Sequence, residues 1–199
     1  MTPTYPDNLP ELAQSLLWPL NLFYIYYSRE MPEITPLFDY QMPEPYRQLL
    51  VHVNNMTPTL EDFHSGTLYV ERLNVVPDAE ETSREVILRR DTDKKPVEYG
   101  ASRVFLQTLP PKAVNLITEG RVPLGTVLSQ CGCKHTVDPS GFFKIQPTSF
   151  FANIFPGLNG SPLYGRRNTL VAPDGKPIAE VCEILPPAYD KNKPGVSVA

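Results

Sequence analysis

The most regular alternation of apolar and polar residues in this chain lies between positions 162 and 187. Two strand-like runs flank Asp174-Gly175, a dipeptide that favours a tight turn, so the pattern predicts a β-hairpin. On the returning strand, period-two spacing gives one face that consists of Ala179, Val181, Glu183 and Leu185. The opposite face consists of Ile178, Glu180, Cys182 and Ile184. Both faces are mostly apolar, so alternation leaves open which one meets the core.

A second hairpin is predicted upstream, with strands on either side of a polar turn at residues 93–96. Arg84 shares its face with two aliphatic residues of the first strand, and Arg103 shares its face with Ala101 and Phe105 on the second. An arginine on an apolar strand face needs an anionic partner. Burying Glu183 without a partner would likewise cost stability. Any one of these charged residues, taken alone, is explained by an internal salt bridge or by a position at the end of a strand, where its charged group reaches solvent. Together they predict an apolar pocket with convergent charges, suited to a small aromatic acid.

The rest of the pattern predicts helices and one further strand. Helices are expected over residues 44–53, from Thr57 as N-cap to Gly66, and over residues 112–119, with a first strand at residues 67–75. Tight turns rather than helical crossovers connect the strands, which predicts an α+β fold with an antiparallel sheet and helices packed on it. Residues 129–161 show poor periodicity and many phenylalanines, and they are expected to form either a lid over the pocket or a peripheral segment that covers the sheet.

Length and composition favour one domain over residues 1–187 and a flexible tail over residues 188–199. The formal net charge of −4 and the absence of a basic run argue against a nucleic-acid partner. The apolar run at residues 16–27 is too short to span a bilayer and has no cleavage site, so a cytoplasmic location is expected. Three cysteines indicate a reducing compartment. The Cys131-to-His135 segment lacks a second ligand pair, so no metal site is predicted.

An ordered set of short motifs in residues 45–187 resembles the chorismate pyruvate-lyase family, in particular its branch from cyanobacteria and algal plastids. The motifs are Met56-Thr57, Arg84-Glu85-Val86, Ser102-Arg103-Val104, Pro123-Leu124-Gly125, Leu163 to Arg167, Asp174 to Pro177, and Glu183. No single motif is specific, but their order and spacing together are.

The resemblance implies a carbon–oxygen lyase that converts chorismate to 4-hydroxybenzoate and pyruvate without metal or cofactor, as a first step towards a quinone such as plastoquinone, and that acts as a monomer. It implies that Arg84 anchors the ring carboxylate and that Met56 and Leu124 support the ligand. Arg103 joins this binding set, and Glu183 meets the hydroxyl at the far end of the ring. Arg84 and Glu183 are thus the expected catalytic residues, with the protonation state of Glu183 left open because burial and nearby arginines act in opposite directions.

Two alternatives remain from the residues alone. The same fold resembles the effector-binding domains of certain bacterial repressors, so the chain could be a non-catalytic module that senses or carries an aromatic acid. Those repressors carry a DNA-binding winged helix, and residues 1–50 show no basic helix-turn-helix pattern. The other alternative is a lyase that yields a different hydroxybenzoate.

Overall fold

A computed structural model describes residues 15–78 and 80–187, which are organised around one seven-stranded antiparallel sheet. The strands are β1 (Ile34–Leu37), β2 (Leu68–Pro77), β3 (Glu81–Arg90), β4 (Pro96–Phe105), β5 (Thr136–Ile145), β6 (Leu163–Val171) and β7 (Pro177–Leu185). Their spatial order is β1-β5-β6-β7-β4-β3-β2. The predicted α+β class and antiparallel sheet are therefore confirmed.

Both predicted hairpins are present, as β3–β4 and β6–β7. Strand β7 also pairs with β4, so the two hairpins lie side by side at the centre of the sheet. Within the second hairpin, Arg166 lies directly opposite Glu183. In the first, Arg84 lies opposite Ser102. The central strands thus carry the charged residues that the alternation singled out.

Six short helices accompany the sheet in the described part of the chain. They are α1 (Leu20–Tyr26), α2 (Tyr46–Leu50), α3 (Met56–His64), α4 (Pro111–Glu119), α5 (Leu124–Gln130) and α6 (Ser149–Ile154). Helix α4 ends at Gly120, whose φ of 67° is the left-handed conformation that glycine adopts most easily. Helix α3 begins at Met56 with Asn55 as its N-cap, two residues earlier than the Thr57 cap predicts. Residues 124–130 form α5, whose first residue is Leu124.

The two faces of the sheet are covered by different parts of the chain. The front face, which carries Arg84, Ser102 and Glu183, packs against helices α2 to α5 through two apolar clusters. The back face, which carries Glu85 and Ala101, packs against α1 and α6 in one large cluster. Because every central strand is covered on both sides, both sides of each strand are rich in apolar residues. This double burial explains why alternation alone could not identify the core face.

Residues 129–161 belong in part to the sheet itself and in part, through helix α6, cover its back face, as the second of the two expected alternatives describes. They contain strand β5, which pairs with β1 on one side and β6 on the other, and helix α6, whose Phe151 is fully buried in the back-face cluster. Pro139 and Gly141 interrupt the apolar pattern where the β5–β6 register shifts. A side chain at position 141 would lie 2.5 Å from Cδ2 of the buried Leu16, so glycine there lets Leu16 pack closely against the strand. The irregular sequence therefore marks a bulged interior strand.

The apolar run at residues 16–27 packs on the sheet. Leu17, Leu20 and Phe23 are buried in the back-face cluster, whereas Ile25 and Tyr26 are exposed. In residues 15–78 and 80–187, no helix is long and apolar enough to cross a membrane. The expected flexible tail at residues 188–199 lies outside the described residues.

Candidate ligand-binding site

A cavity separates the front face of the sheet from helices α3 and α5. It holds about 650 Å³ of space between the atoms of its wall, its opening to solvent included. The apolar part of its wall includes Met56, Val70, Val86, Leu124, Leu170 and Val181. Polar side chains from strands β3, β4, β6 and β7 interrupt this wall at a few places. An apolar wall with few polar groups is the usual construction of a site for a small organic ligand.

Arg84 brings a buried positive charge to this cavity. Its side chain is almost fully buried, and it forms one weak hydrogen bond, in which Nε donates to Ser102 Oγ over 3.4 Å. Its Nη1 has no hydrogen-bond partner, and no carboxylate pairs with it among the described residues. Burial, with a smaller effect from the nearby Arg72 charge, lowers the pKa of Arg84 to about 10. A buried guanidinium that lacks an anion is costly, and an anionic ligand would remove that cost.

Arg72 adds to the positive potential at this end of the cavity. From strand β2 its Nη1 donates to the carbonyl oxygens of Thr118 and Glu119 at the end of helix α4, over 3.3 Å in each case. The last carbonyls of a helix carry partial negative charge, which holds the guanidinium in place. Its charge is therefore fixed near Arg84, and both charges favour the entry of an anion.

Glu183 is already paired within the protein. Its Oε2 accepts hydrogen bonds from Arg166 Nε at 2.6 Å and from Asn168 Nδ2 at 2.8 Å. Arg166, which is 1% exposed, also donates to the backbone carbonyls of residues 50, 52 and 54. The nearby His52 has a lowered pKa because of its burial and the Arg166 charge. Arg166 thus ties Glu183 to the segment that leads into helix α3.

A second buried acid, Glu98, lies in the same cavity and was not anticipated from the sequence. It is 5% exposed, and its Oε2 has no hydrogen-bond partner among the described residues. Burial raises the pKa of Glu98 well above its usual range, and the neighbouring Glu183 charge raises it further. The available signal was the run of polar or small residues at alternate positions 98, 100 and 102, all on the front face of a doubly covered strand.

Four of the predicted site residues, Met56, Arg84, Leu124 and Glu183, line this one cavity. Arg103 does not. It projects from the back face, where Nε donates to Glu81 at 2.8 Å and the guanidinium lies over the Trp18 ring. The β3–β4 register places Ser102, rather than Arg103, opposite Arg84. Arg103 is therefore left out of the binding set that we propose below.

The cysteine-containing segment near the cavity has a structural contact. His135 Nε2 lies 3.0 Å from Asn55 Oδ1 and so helps to fix the start of helix α3. Cys131 and Cys133 are partly buried free thiols. Throughout residues 15–78 and 80–187, no three histidine, cysteine or acidic side chains are grouped so that they could hold a metal ion.

Comparison with known proteins identifies the fold but no sequence family. No family model matches the chain, and no curated protein matches it. Among solved structures, the effector domain of PhnF from Mycobacterium smegmatis has a TM-score of 0.53 at 11% identity, covering 67% of this chain and 88% of that one. The structure of PhnF from the same organism has a TM-score of 0.54 at 10% identity, covering 84% and 93%. This chain has the fold of an effector domain.

A third similar structure is a GntR-family transcriptional regulator from Bacillus cereus, with a TM-score of 0.45 at 10% identity and coverage of 65% and 99%. The two PhnF structures contradict the expected assignment as a carbon–oxygen lyase, since the first is described as an effector domain and neither is described as a lyase. At the sequence level, nothing matches that would support chorismate lyase specifically.

Proposed function

We propose that this chain is a non-catalytic binding module for a small aromatic acid. The observation that carries the proposal is Arg84, a buried guanidinium in the wall of the cavity, which has no anionic partner in the described residues. A protein gains no stability from such a group, so its presence is best explained by a ligand that supplies the missing anion.

A carboxylate fits this position well. A guanidinium offers parallel N–H groups that match the two oxygens of a carboxylate, so it both attracts and orients the ligand. Helix α3, nine residues long, begins at Met56 in the cavity wall without a side-chain cap, so amides of its first turn are available to the same anion. The apolar wall between the sheet and helices α3 and α5 suits an aromatic ring.

The state of Glu183 supports binding rather than catalysis. Its Oε2 already accepts hydrogen bonds from Arg166 and Asn168, and its charge is paired. A carboxylate held in this way is suited to fix the cavity wall or to orient a ligand. The effector-domain fold agrees with this interpretation. The monomeric state, the cytoplasmic location and the lack of a nucleic-acid partner stay predictions from the sequence.

The test is calorimetric titration of the parent protein, Arg84→Met and Arg103→Met with benzoate and 4-hydroxybenzoate. Loss of the charged partner of a bound anion costs about 2–5 kcal/mol, so Arg84→Met should weaken binding by at least about 30-fold. Arg103→Met is the matched control, because it removes the same side chain from the other face of the neighbouring strand. We expect its affinity to equal that of the parent.

Ligand recovery tests the absence of catalysis. Benzoate, 4-hydroxybenzoate and chorismate, each incubated with the parent protein and analysed by chromatography, should be recovered as in buffer alone. Equal affinity of the parent and Arg84→Met would overturn the proposed site. Release of pyruvate from chorismate above the rate in buffer would overturn its non-catalytic character.

A further inference from the structure

The end of the cavity remote from Arg84 is defined by Glu98. Across the β3–β4 pair, Arg84 lies opposite Ser102 and Glu98 lies opposite Leu88. Four residues of strand therefore separate the two positions, about 13 Å along the sheet. Both side chains line the same cavity, with apolar residues such as Val86 between them. The site is thus asymmetric, with a cation at one end and a carboxyl group at the other.

The Glu98 carboxyl has no partner in the described part of the chain. No hydrogen bond or ion pair involves it, and its Oε2 is fully enclosed. The charged and titratable groups that face it are Glu183 on β7 and Arg166 on β6, with the Cys182 thiol nearby. Arg166 is already committed to Glu183 at 2.6 Å. Because Arg166 is already paired with Glu183, the unpaired Glu98 carboxyl group is favoured in its neutral form.

Space for this carboxyl is built into the neighbouring strand position. A methyl group at Gly100 would lie 2.9 Å from Glu98 Oε1, closer than such atoms approach one another in real structures. Gly100, two residues after Glu98 on strand β4, therefore leaves room for the Glu98 carboxyl group at the cavity wall. A buried carboxyl with its own space and no internal partner is the arrangement expected of a group that meets a ligand.

We propose that Glu98 acts as a neutral carboxylic acid that donates a hydrogen bond to an uncharged acceptor oxygen on the ligand, at the end remote from Arg84. This inference rests on the proposed function, because Arg84 must hold the carboxylate of the same ligand. The ligand class is then an aromatic acid with a carbonyl or ether oxygen opposite its carboxylate. Ligands with an ammonium group at that end are excluded, since a neutral acid offers them no counter-charge.

The interaction has a defined pH dependence. Below the raised pKa of Glu98 the acid keeps its proton and can donate it. As the pH rises through that pKa, the donor is lost and a buried charge appears beside the acceptor oxygen. Glutamine at position 98 keeps an N–H donor and cannot ionise, so it should preserve recognition and abolish its pH dependence.

The test compares three para-substituted benzoates of similar shape, titrated by calorimetry: 4-acetylbenzoate as acceptor, 4-isopropylbenzoate as apolar control and 4-(aminomethyl)benzoate as cation. Parent protein, Glu98→Gln and Glu98→Leu are compared at pH 6 and at a series of higher pH values. At pH 6, parent and Glu98→Gln should prefer the acetyl compound by about tenfold over the isopropyl one, the effect of one hydrogen bond. Glu98→Leu should show no preference. As the pH is raised from 6 through the pKa of Glu98, the preference should decrease in the parent alone.

A preference of the parent for the aminomethyl compound would overturn the inference, because it would show an ionised Glu98. An acetyl preference that survives in Glu98→Leu would also overturn it. If unsubstituted benzoate binds through Arg84 but the acetyl and isopropyl compounds bind equally, this inference fails while the proposed function stands. If no benzoate binds the parent protein, the proposed function fails and this inference fails with it.

Discussion

Two adjacent residues of strand β3, Arg84 and Glu85, show how differently this protein treats its buried charges. Glu85 projects from the back face and is fully buried, and its carboxylate accepts hydrogen bonds from Arg29, from Asn74 Nδ2 at 2.6 Å and from the Tyr99 hydroxyl. Arg84 projects from the front face and has a single weak hydrogen bond. One charge is completely satisfied, and the other has no counter-charge among the residues that the structure describes.

The difference separates a structural charge from one that serves a ligand. A fully satisfied buried network fixes the packing of the elements that supply its members, here strands β2 to β4 and the segment that follows helix α1. An unsatisfied buried charge lowers the stability of the free protein. A ligand that binds to the charge offsets this loss. Glu98, on the front face, also lacks a partner among the described residues, but as a neutral carboxyl group rather than a charge. Glu183, paired with Arg166, is a structural charge although it lies in the same cavity.

The largest effect is expected from Glu85→Ala. Removing this carboxylate leaves the Arg29 guanidinium, the buried Tyr99 hydroxyl and the Asn74 amide without their common partner. Breaking such a buried pair typically costs about 3–5 kcal/mol of unfolding free energy. Urea denaturation followed by circular dichroism measures it. A loss of less than about 1 kcal/mol would show that the network is not structural.

An intermediate and pH-dependent effect is expected from Glu98→Gln. Folding raises the pKa of Glu98, so above the ordinary pKa the folded protein holds a proton that the unfolded chain has released. The parent therefore loses stability as the pH rises towards the folded-state pKa, and the glutamine variant lacks this loss. In urea denaturation at several pH values between about 5 and 8, the unfolding free energy of the variant should rise relative to that of the parent as the pH increases. A constant difference would contradict the neutral state of Glu98.

The smallest effect is expected from Glu81→Ala, which is also the matched control for Glu85→Ala. Glu81 lies on the same strand and pairs with Arg103, but both side chains are 30% exposed. Exposed and partly exposed ion pairs contribute about 0–1 kcal/mol, so the variant should differ little from the parent in urea denaturation. A loss as large as that of Glu85→Ala would remove the distinction between the two networks.

The sequence was informative where one strand pattern was enough. Alternation around two turn signals predicted both central hairpins, and it placed Arg84 with Val86 and Leu88 on the face that proves to line the cavity. The Gly120 stop predicted the end of helix α4. These features depend on local backbone preferences, which a single chain reveals without its partners.

The sequence was uninformative where pairing between strands decides the outcome. Arg103 was grouped with Arg84 although the hairpin register places them on opposite faces, and a register shift near Leu88 and Arg89 makes that register hard to predict from turn length. Strand β5 was missed because Pro139 and Gly141 break its pattern at a bulge. Glu98 was missed because its lack of a partner depends on the pairing of Arg166 with Glu183 on two other strands.

The central claim is that the Arg84 charge is reserved for a ligand anion, and unfolding free energies with and without benzoate test it most directly. Without ligand, Arg84→Met should be more stable than the parent by about 1–3 kcal/mol, because a buried unpaired charge is replaced by an apolar side chain. Benzoate at about 100 times the dissociation constant of the parent should raise the unfolding free energy of the parent by about 2.7 kcal/mol and leave that of Arg84→Met unchanged. A variant that is less stable than the parent without ligand, and that gains as much from benzoate, would contradict the claim.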